Sequence, residues 1–270
     1  MVASQHPSPA GTDGGARRRP AALLFDVDGT LAETERDGHR VAFNRAFRAA
    51  GLDWEWSESL YGELLRVTGG KERIRYYVRR YRPDFVFPGD PDAFIAALHE
   101  SKNRYFAELL AGGGIGLRPG VRRLLGEARA AGIPLLIVTT TSPENVAALL
   151  EHCLDPGARG WFDLIAAGDV VPAKKPAPDI YHYALAHSGL PANECIAFED
   201  SANGLRAARA AGVPTVVTVS YYSRGEDFSG ACLVVDQLGE PGQPFTVLAG
   251  DAGGACCVDL DLLGRLLARI

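Results

Sequence analysis

The chain has 270 residues, of which 47% are hydrophobic and 23% are charged. This length accommodates one large domain or a main domain with an insert, and the composition is that of a globular protein. The formal net charge of −5 excludes a broad basic surface for nucleic acid, so no nucleic-acid partner is expected. No segment approaches the run of about 18 apolar residues that a membrane span needs, so no membrane partner is expected either.

The first twenty residues are rich in Pro, Gly, Ser and Ala and close with three arginines, Arg17–Arg19. They lack the apolar stretch of a secretory signal, and we expect residues 1–20 to form a disordered extension. A transit peptide is the alternative, because the segment is basic and poor in acids. The five cysteines form no C-x-x-C pair, which indicates idle thiols in a reducing, cytoplasmic compartment.

The first predicted element is a strand over Leu23–Val27, a short apolar run. Predicted helices follow it without an intervening strand, over residues 33–50, 60–67, 71–81 and 93–110. Gly51 follows the first of them as a C-cap, and Gly112–Gly114 ends the helical stretch. We therefore expect an all-helical insert directly after the first strand.

From residue 119 onward, apolar runs alternate with amphipathic stretches. Strands are predicted over residues 135–138, 164–167, 196–198, 214–219 and 233–235, and helices over 121–130, 143–150, 179–187, 205–211 and 258–270. This alternation, with strands apolar on both faces, predicts a parallel sheet covered by helices on both sides. The expected fold class is α/β: a Rossmann-like core of residues 21–32 and 115–270, with a helical cap domain of residues 33–114 inserted after the first strand.

Polar residues follow the carboxyl ends of several predicted strands. Asp26 lies at the end of the first strand, Thr139 follows the second, and Glu199 and Asp200 follow the strand over 196–198. Lys175 comes after another strand and a loop. Because ligands of such folds bind at the carboxyl ends of the strands, we expect these side chains to converge at one edge of the sheet.

The converged residues indicate a particular chemistry. Several carboxylates close together repel each other unless a cation lies between them, and oxygen ligands without imidazole or thiolate favour Mg²⁺ as the cofactor. A lysine beside them would hold an anionic group of the substrate. Thr139 and the N–H groups after it, at a helix start, would bind phosphate oxygens. The set predicts phosphoryl transfer with an aspartate as covalent nucleophile.

Two aspartates, Asp26 and Asp28, stand two positions apart, which in a regular strand places both side chains on one face. Asp26 would then attack phosphorus. Asp28 would protonate the leaving oxygen and later take a proton from the hydrolytic water. Gly29 permits a tight turn directly after them.

Four motifs, in this order, resemble those of the haloacid dehalogenase-like superfamily: DVDGT at 26–30, LLIVTTTS at 135–142, KKPAPDIY at 174–181 and FEDSANG at 198–204. The resemblance covers about residues 21–222. It implies a core hydrolase fold with a cap between the first and second motifs. The dehalogenases of this superfamily lack the second aspartate of the first motif, so Asp28 argues for phosphate chemistry.

The resemblance also implies roles for individual residues. Asp26 is the nucleophile and a metal ligand, and Asp28 is the acid/base with its backbone carbonyl on the metal. Lys175 is the lysine of the third motif. Thr139 and the Thr140 amide bind the transferred phosphate, with Thr141 beside them, and Glu199 and Asp200 supply the remaining metal carboxylates.

A second anion site is predicted from the cap segment VTGGKERI at 67–74, where N–H groups, a helix dipole and a cation coincide at a helix start. Its members are Thr68, Gly69, Gly70 and Lys71, and Arg75 extends the positive patch one helical turn later. Two anion sites indicate a substrate with two phosphates or a phosphosugar held at its far end.

The cap segments ETERDGHR and TGGKERI and the stretch TTTSPENV resemble CbbY-type phosphatases, which remove a phosphate from xylulose-1,5-bisphosphate, an inhibitory by-product of Rubisco. This narrower resemblance implies that Glu33, His39 and Lys71 contact the sugar or the distal phosphate. We therefore expect a monomeric, Mg²⁺-dependent sugar-phosphate phosphatase. By contrast, Arg73, Arg79 and Arg80 are interpreted as a solvated face of a cap helix.

Two alternatives stay open. A β-phosphoglucomutase-like enzyme shares the cap type and the segment KPAPDI, and the sequence does not display whether a phospho-aspartate is shielded from water. A non-catalytic phosphosugar-binding or regulatory protein is the alternative of a different class. The presence of nucleophile, acid/base, lysine and metal carboxylates together argues against it.

Overall fold

The computed structural model describes residues 19–270, so the extension expected over residues 1–20 falls almost wholly outside the described residues. Within the described part, seven strands form one sheet in the order β3-β2-β1-β4-β5-β6-β7. Strands β1 to β6 pair in parallel and β7 pairs antiparallel to β6. The strands β1 to β7 are Ala22–Phe25, Leu135–Thr139, Leu164–Ala167, Cys195–Glu199, Thr215–Thr218, Leu233–Val235 and Val247–Gly250.

Nine α-helices are present among residues 19–270. In chain order, α1 to α9 are Arg40–Ala49, Glu58–Leu64, Gly70–Tyr81, Pro91–Ala111, Val121–Ala130, Pro143–Leu149, Asp179–Ser188, Ala202–Ala210 and Leu260–Leu267. Shorter helical turns are π-helical at Glu35–His39 and Leu150–Leu154 and 3₁₀ at Ala158–Trp161 and Ala192–Glu194. Of the helices in the described part, none combines the length and apolar character needed to cross a bilayer.

The sheet lies between two layers of helices, which confirms the predicted α/β class. Leu23 and Phe25 of β1 pack into a cluster with α5, α6 and α9, whereas Ala22 and Leu24 pack into one with α7 and α8. All four residues of β1 are fully buried. Burial on both faces is the reason that these strands read as continuous apolar runs rather than alternating ones.

Helices α1 to α4 pack around a hydrophobic cluster of their own, and we refer to this part as the cap. Its centre is aromatic, with Phe43, Phe47, Trp56 and Tyr61 all essentially inaccessible to solvent. Aromatic rings bury large apolar areas, so this small cluster contributes much of the burial that holds the four helices together. The boundaries of an inserted cap domain at residues 33–114 stay a prediction, because Ala42, Phe106 and Leu110 of α1 and α4 pack into the cluster of the core.

Three elements differ from the sequence-based expectation. Strand β1 ends at Phe25, so both aspartates of the first motif lie in the loop beyond it. The helix expected from residue 33 begins as the π-helical turn Glu35–His39, which inserts an extra residue before α1. Strand β7 was not predicted, because all four of its residues are exposed and give no burial pattern.

Candidate active site

The ends of three neighbouring strands bring the predicted core residues together. Asp26 is the first residue after β1, and its backbone N–H donates to the Phe198 carbonyl of β4 at 3.0 Å. Thr139 is the last residue of β2, and Glu199 is the last residue of β4. Because β2, β1 and β4 are adjacent in the sheet, the convergence expected from the strand-end rule is observed.

Lys175 is the buried cation of this site. Its Nζ donates to Asp26 Oδ1 at 2.8 Å, to Glu199 Oε1 at 2.6 Å and to the Val138 carbonyl at 2.8 Å, which uses all three of its protons. Burial alone would lower the pKa of Lys175, but Asp26 and Glu199 outweigh burial and raise it. The lysine is therefore charged, and it orients one oxygen of Asp26 while leaving the other free.

Tyr181 on α7 adds a further donor to the same group. Its hydroxyl donates to Glu199 Oε1 at 2.5 Å, so this one oxygen accepts from both a lysine and a tyrosine. Tyr181 and Glu199 are both fully buried. Hydrogen bonds to a carboxylate are among the stronger ones in proteins, and these two fix Glu199 in position.

Three buried carboxylates, Asp26, Glu199 and Asp200, place one oxygen each within 4.8 Å of one another. Burial raises the pKa of Asp26 to about 7 although Lys175 opposes the shift, and burial with the nearby Asp26 raises the pKa of Asp200 well above its ordinary value. A cation between these oxygens would compensate the charge that burial disfavours. The donor set consists of hard oxygens, so the cluster fits a divalent cation such as Mg²⁺.

Gly29 fits tightly against this cluster. A Cβ at this position would lie 2.1 Å from Asp200 Oδ2, and the residue has a φ of +81°. Both the space and the backbone conformation require glycine, which explains the G of the first motif in physical terms.

Asp28 points toward the cap rather than toward the carboxylate cluster. His39 Nε2 lies 2.8 Å from Asp28 Oδ1, and the Thr34 hydroxyl donates to the same oxygen at 2.5 Å. Burial raises the pKa of Asp28, but His39 and its hydrogen bond, with smaller contributions from Thr34 and Lys102, hold the net pKa below its ordinary value. In this arrangement Asp28 is a carboxylate, the form that accepts a proton.

Lys102 on α4 orients the histidine from its other side. Its Nζ lies 2.8 Å from His39 Nδ1, and burial lowers the pKa of Lys102 to about 8. A lysine ammonium only donates, so Nδ1 of His39 accepts a hydrogen bond from Lys102. The Nε2–H of His39 then donates a hydrogen bond to Asp28 Oδ1. The chain Lys102–His39–Asp28 thus connects a cap helix to the second aspartate of the first motif.

Two cavities meet at Thr140. The catalytic cavity, of about 100 Å³, is lined by the core motif residues and by Thr68 of the cap. The cap-side cavity, of about 640 Å³, is lined by the helix start Gly69–Lys71 and by residues of the core. Thr140 lines both, so a ligand held at the catalytic centre can extend into the larger space.

The cap-side cavity is lined by several cations. Lys71 and Lys174 lie at the cleft between cap and core, Arg73 and Lys102 come from the cap, and Arg159 comes from the core. Lys71 Nζ lies 2.5 Å from Asp169 Oδ2, a contact between the cap and the core. The predicted members Thr68, Gly69, Gly70 and Lys71 therefore all line one of the two cavities, as do Thr140 and Thr141.

The structure does not bring Glu33 to either of these two cavities. Its carboxylate lies 3.7 Å from Arg118 Nε and lines a separate surface cavity next to the end of β5. The reason is the π-helical turn, which begins two residues later and presents Glu35 to the catalytic cavity instead. The position expected for Glu33 is therefore occupied by Glu35, which lines the catalytic cavity.

The predicted roles of two arginines are also corrected. Arg75 turns away from the site, bonds Asp92 at 2.6 Å and lines a cavity on the outside of the cap. Arg73, expected on a solvated face, is buried, donates to the Tyr61 hydroxyl at 2.8 Å and lines both site cavities. Only two positions separate them along α3, so they point to different sides of the helix.

Sequence reasoning missed Lys102, Asp169 and Tyr181 as site residues. Lys102 lies on a long helix without a strong apolar stripe, and Asp169 lies in a loop that no motif marks. For Tyr181, a signal was present: it is the last residue of the third-motif segment KKPAPDIY and falls on the buried face of α7 with Ile180.

Comparisons with known proteins agree with this geometry. The family model of haloacid dehalogenase-like hydrolases matches residues 20–212. The chain is 50% identical over 224 residues to the plasmid-encoded protein CbbY of Cupriavidus necator, which covers 83% of this chain and 88% of that one.

Two solved structures are similar throughout. CbbY from Rhodobacter sphaeroides in complex with phosphate is 49% identical, with a TM-score of 0.73 over 81% of this chain and 94% of that one. A mutant of CbbY from the same organism, in complex with xylulose-(1,5)bisphosphate, is 48% identical with the same TM-score of 0.73 and the same coverage of 81% and 94%. These similarities confirm the resemblance recognised from the four motifs. The chain belongs to the haloacid dehalogenase-like hydrolase family.

Proposed function

We propose that this protein is a Mg²⁺-dependent sugar-phosphate phosphatase that hydrolyses xylulose-1,5-bisphosphate through an aspartyl-phosphate at Asp26. The observation that carries the proposal is the continuity of two anion sites, a buried one at Asp26 and Lys175 and a cationic one at Lys71, which meet at Thr140. The related CbbY whose structure contains xylulose-(1,5)bisphosphate supports the choice of substrate.

In the first half of the reaction, the free oxygen of Asp26 attacks phosphorus. The bond from phosphorus to the sugar oxygen breaks as the bond to Asp26 forms. Lys175 neutralises charge on Asp26 and on the phosphoryl group, and Thr139 with the N–H groups after it holds phosphoryl oxygens. The leaving oxygen takes its proton from Asp28, which must bind substrate in its protonated form.

In the second half, water attacks phosphorus and the bond to Asp26 breaks. Asp28, now ionised, takes the proton of the attacking water. The hydrogen bonds from His39 and Thr34 stabilise this carboxylate form, so the described arrangement favours the hydrolytic step. Water acting as the final acceptor makes the protein a phosphatase rather than a mutase.

The buried acidic cluster would hold the metal ion. Asp26, Asp200 and Glu199 are the side-chain ligands that the structure offers, and the family motif adds the backbone carbonyl of Asp28. Bound Mg²⁺ would supply positive charge to the phosphoryl oxygens as the transition state forms.

The distal phosphate is assigned to the cap-side cavity. Lys71 lies at the start of the twelve-residue helix α3, where the N–H groups and the dipole favour an anion. Gly69 has a φ of +95°, and a Cβ there would lie 2.2 Å from Glu72 Oε2 and 3.0 Å from the Lys174 side chain, so glycine lets both Glu72 and Lys174 approach the helix start. Lys71 and Lys174 together then offer two cations to one phosphate.

A panel of sugar phosphates with Mg²⁺ tests this function. We expect rapid release of inorganic phosphate from xylulose-1,5-bisphosphate, with slower release from ribulose-1,5-bisphosphate and from β-glucose-1-phosphate. Conversion of β-glucose-1-phosphate to its 6-phosphate without release would instead establish a mutase. Tight binding of the bisphosphate without any turnover would establish a binding protein.

A further inference from the structure

Asp169 of the core forms an ion pair with the cap across the cleft between them. Asp169 lies in the loop between β3 and α7 of the core, and its Oδ2 is 2.5 Å from Nζ of Lys71 in the cap. Its other oxygen, Oδ1, is 2.8 Å from Nζ of Lys174 in the core. Asp169 therefore binds both Lys71 and Lys174, two of the cations that line the cap-side cavity, and Glu72 Oε2 of the cap lies 3.5 Å from the same Lys174 Nζ.

The backbone holds Asp169 close to the phosphate-binding strand. The N–H of the preceding residue, Gly168, donates to the Thr139 carbonyl at 3.3 Å, and Gly168 has a φ of +68°. A Cβ on Gly168 would lie 3.2 Å from Pro143 Cδ at the start of α6. The carboxylate is thus fixed to the core, and its contact with Lys71 joins the core to the cap.

The contact of Asp169 with Lys71 and Lys174 joins charged groups, but another anion can take the place of Asp169. Hydrogen bonds from Lys174 and Lys71 lower the pKa of Asp169 to about 2, so it carries a full negative charge near neutral pH. Its side chain is 57% exposed, and ion pairs in such surroundings are weak. A phosphate has more charge and more acceptor oxygens than a carboxylate, and the two anions repel each other at a shared site.

We propose that Asp169 competes with the second phosphate of the substrate for Lys71 and Lys174, so that it closes the empty cleft and speeds release of a product that keeps this phosphate. The inference rests on the proposed function, because it places the second phosphate in the cap-side cavity. Asp169 is a positioning residue here: it acts on the two lysines and not on the reacting atoms.

Product inhibition gives a direct test. Asp169→Asn removes the competing charge and keeps the shape, so inhibition by xylulose-5-phosphate should become three- to tenfold stronger. Inhibition by inorganic phosphate, which binds at the catalytic centre, should change less than twofold. Asp169→Glu should restore the inhibition of the wild type. Unchanged or weaker inhibition of Asp169→Asn by xylulose-5-phosphate would overturn the proposal.

Asp92→Asn is the matched control. Asp92 also forms an exposed carboxylate–cation pair, with Arg75 at 2.6 Å. Both members of this pair lie within the cap and outside the cap-side cavity. This variant should leave inhibition by both ligands as in the wild type. An effect equal to that of Asp169→Asn would show a general consequence of lost surface charge and would contradict the proposal.

A second measurement needs no substrate and separates this inference from the proposed function. Trace acetylation with acetic anhydride, read by peptide mass spectrometry, reports the free amine of Lys71. Asp169→Asn should raise the rate at Lys71 at least twofold in the ligand-free protein, and Asp92→Asn should not. If wild-type protein fails to hydrolyse xylulose-1,5-bisphosphate, the proposed function falls, and an unchanged acetylation rate would overturn the Asp169 contact as well.

Discussion

The catalytic centre and the cap-side cavity both pair lysines with carboxylates, but in opposite surroundings. At the centre, the side chains of Lys175 and Glu199 are 4% and 1% exposed. At the cavity, those of Lys71 and Asp169 are 35% and 57% exposed. Removing one partner of a buried pair typically costs about 3–5 kcal/mol, whereas an exposed pair contributes about 0–1 kcal/mol.

This difference separates two tasks within one site. The buried pairs are rigid and hold the groups that react, so the same chemistry is applied to any phosphate that reaches them. The exposed pairs exchange partners at little cost, so a ligand can replace one of their members. The comparison therefore predicts that the core sets the reaction type and that the cleft between cap and core sets the choice of substrate.

Asp26→Asn is expected to have the largest effect. The amide is no longer a nucleophile, so phosphate release should fall by roughly four orders of magnitude or more. It still accepts a hydrogen bond from Lys175, and the fold should remain, as judged by circular dichroism. Turnover within tenfold of the wild type would remove Asp26 from the reaction.

Metal removal is expected to have the second-largest effect. Chelation with EDTA should lower turnover by about three orders of magnitude, because several kcal/mol of transition-state stabilisation are lost. Added Mg²⁺ should restore activity in full. Activity that persists after thorough chelation would contradict the assignment of the acidic cluster as a metal site.

The same cluster predicts a pH dependence of stability. Burial raises the pKa of Asp26 to about 7 and raises that of Asp200 as well. The metal-free folded protein therefore binds these two protons more tightly than the unfolded chain, and the contribution of Asp26 and Asp200 to its stability falls as the pH rises from about 4 toward 7. Mg²⁺ should raise Tm clearly at pH 7.5 and little at pH 5. Equal shifts at both values would contradict this reading of the carboxylates.

His39→Ala should have an intermediate effect. It removes the donor that fixes Asp28 and leaves Lys102 without its partner, so kcat should fall by about a hundredfold while KM changes little. The pH profile of kcat should shift as well, because His39 holds the pKa of Asp28 below its ordinary value. A loss confined to KM would show that His39 only contacts substrate.

Tyr181→Phe should have a smaller effect than Asp26→Asn or His39→Ala. It deletes one of two donors to Glu199, so we expect a loss of about 1–3 kcal/mol in the free energy of unfolding and a few-fold loss of kcat. Tyr183→Phe on the same helix is the control, since its ring stacks on His187 away from the site. Equal losses in both variants would argue against a role for the Tyr181 hydroxyl.

The parts of the site that sequence could predict are those encoded locally. Asp26, Thr139 and Asp200 lie at strand ends, where a short apolar run and the strand-end rule together determine their position. Lys102 and Asp169 could not be found in this way, because their contacts join residues 63 and 98 positions apart. Such contacts depend on how the cap sits on the core.

Register explains the remaining differences. Glu33 was expected at the site because the segment ETERDGHR resembles the cap of CbbY-type phosphatases. The π-helical turn at Glu35–His39 changes the count and places Glu35 there instead. Strand β7 was not predicted for a separate reason. Val247 and Leu248 are 41% and 53% exposed, so the strand has no buried face.

The most direct test of the central claim is the ratio of kcat/KM for xylulose-1,5-bisphosphate to that for β-glucose-1-phosphate, in the wild type, Lys71→Ala and Arg75→Ala. Arg75 lies four residues after Lys71 on α3 but outside the cap-side cavity, so it is a matched control. We predict that Lys71→Ala lowers the ratio by about ten- to a hundredfold, because a charge-assisted phosphate contact is lost. Arg75→Ala should leave the ratio unchanged. Equal losses for both substrates in Lys71→Ala would contradict the assignment of substrate choice to the cap-side cavity.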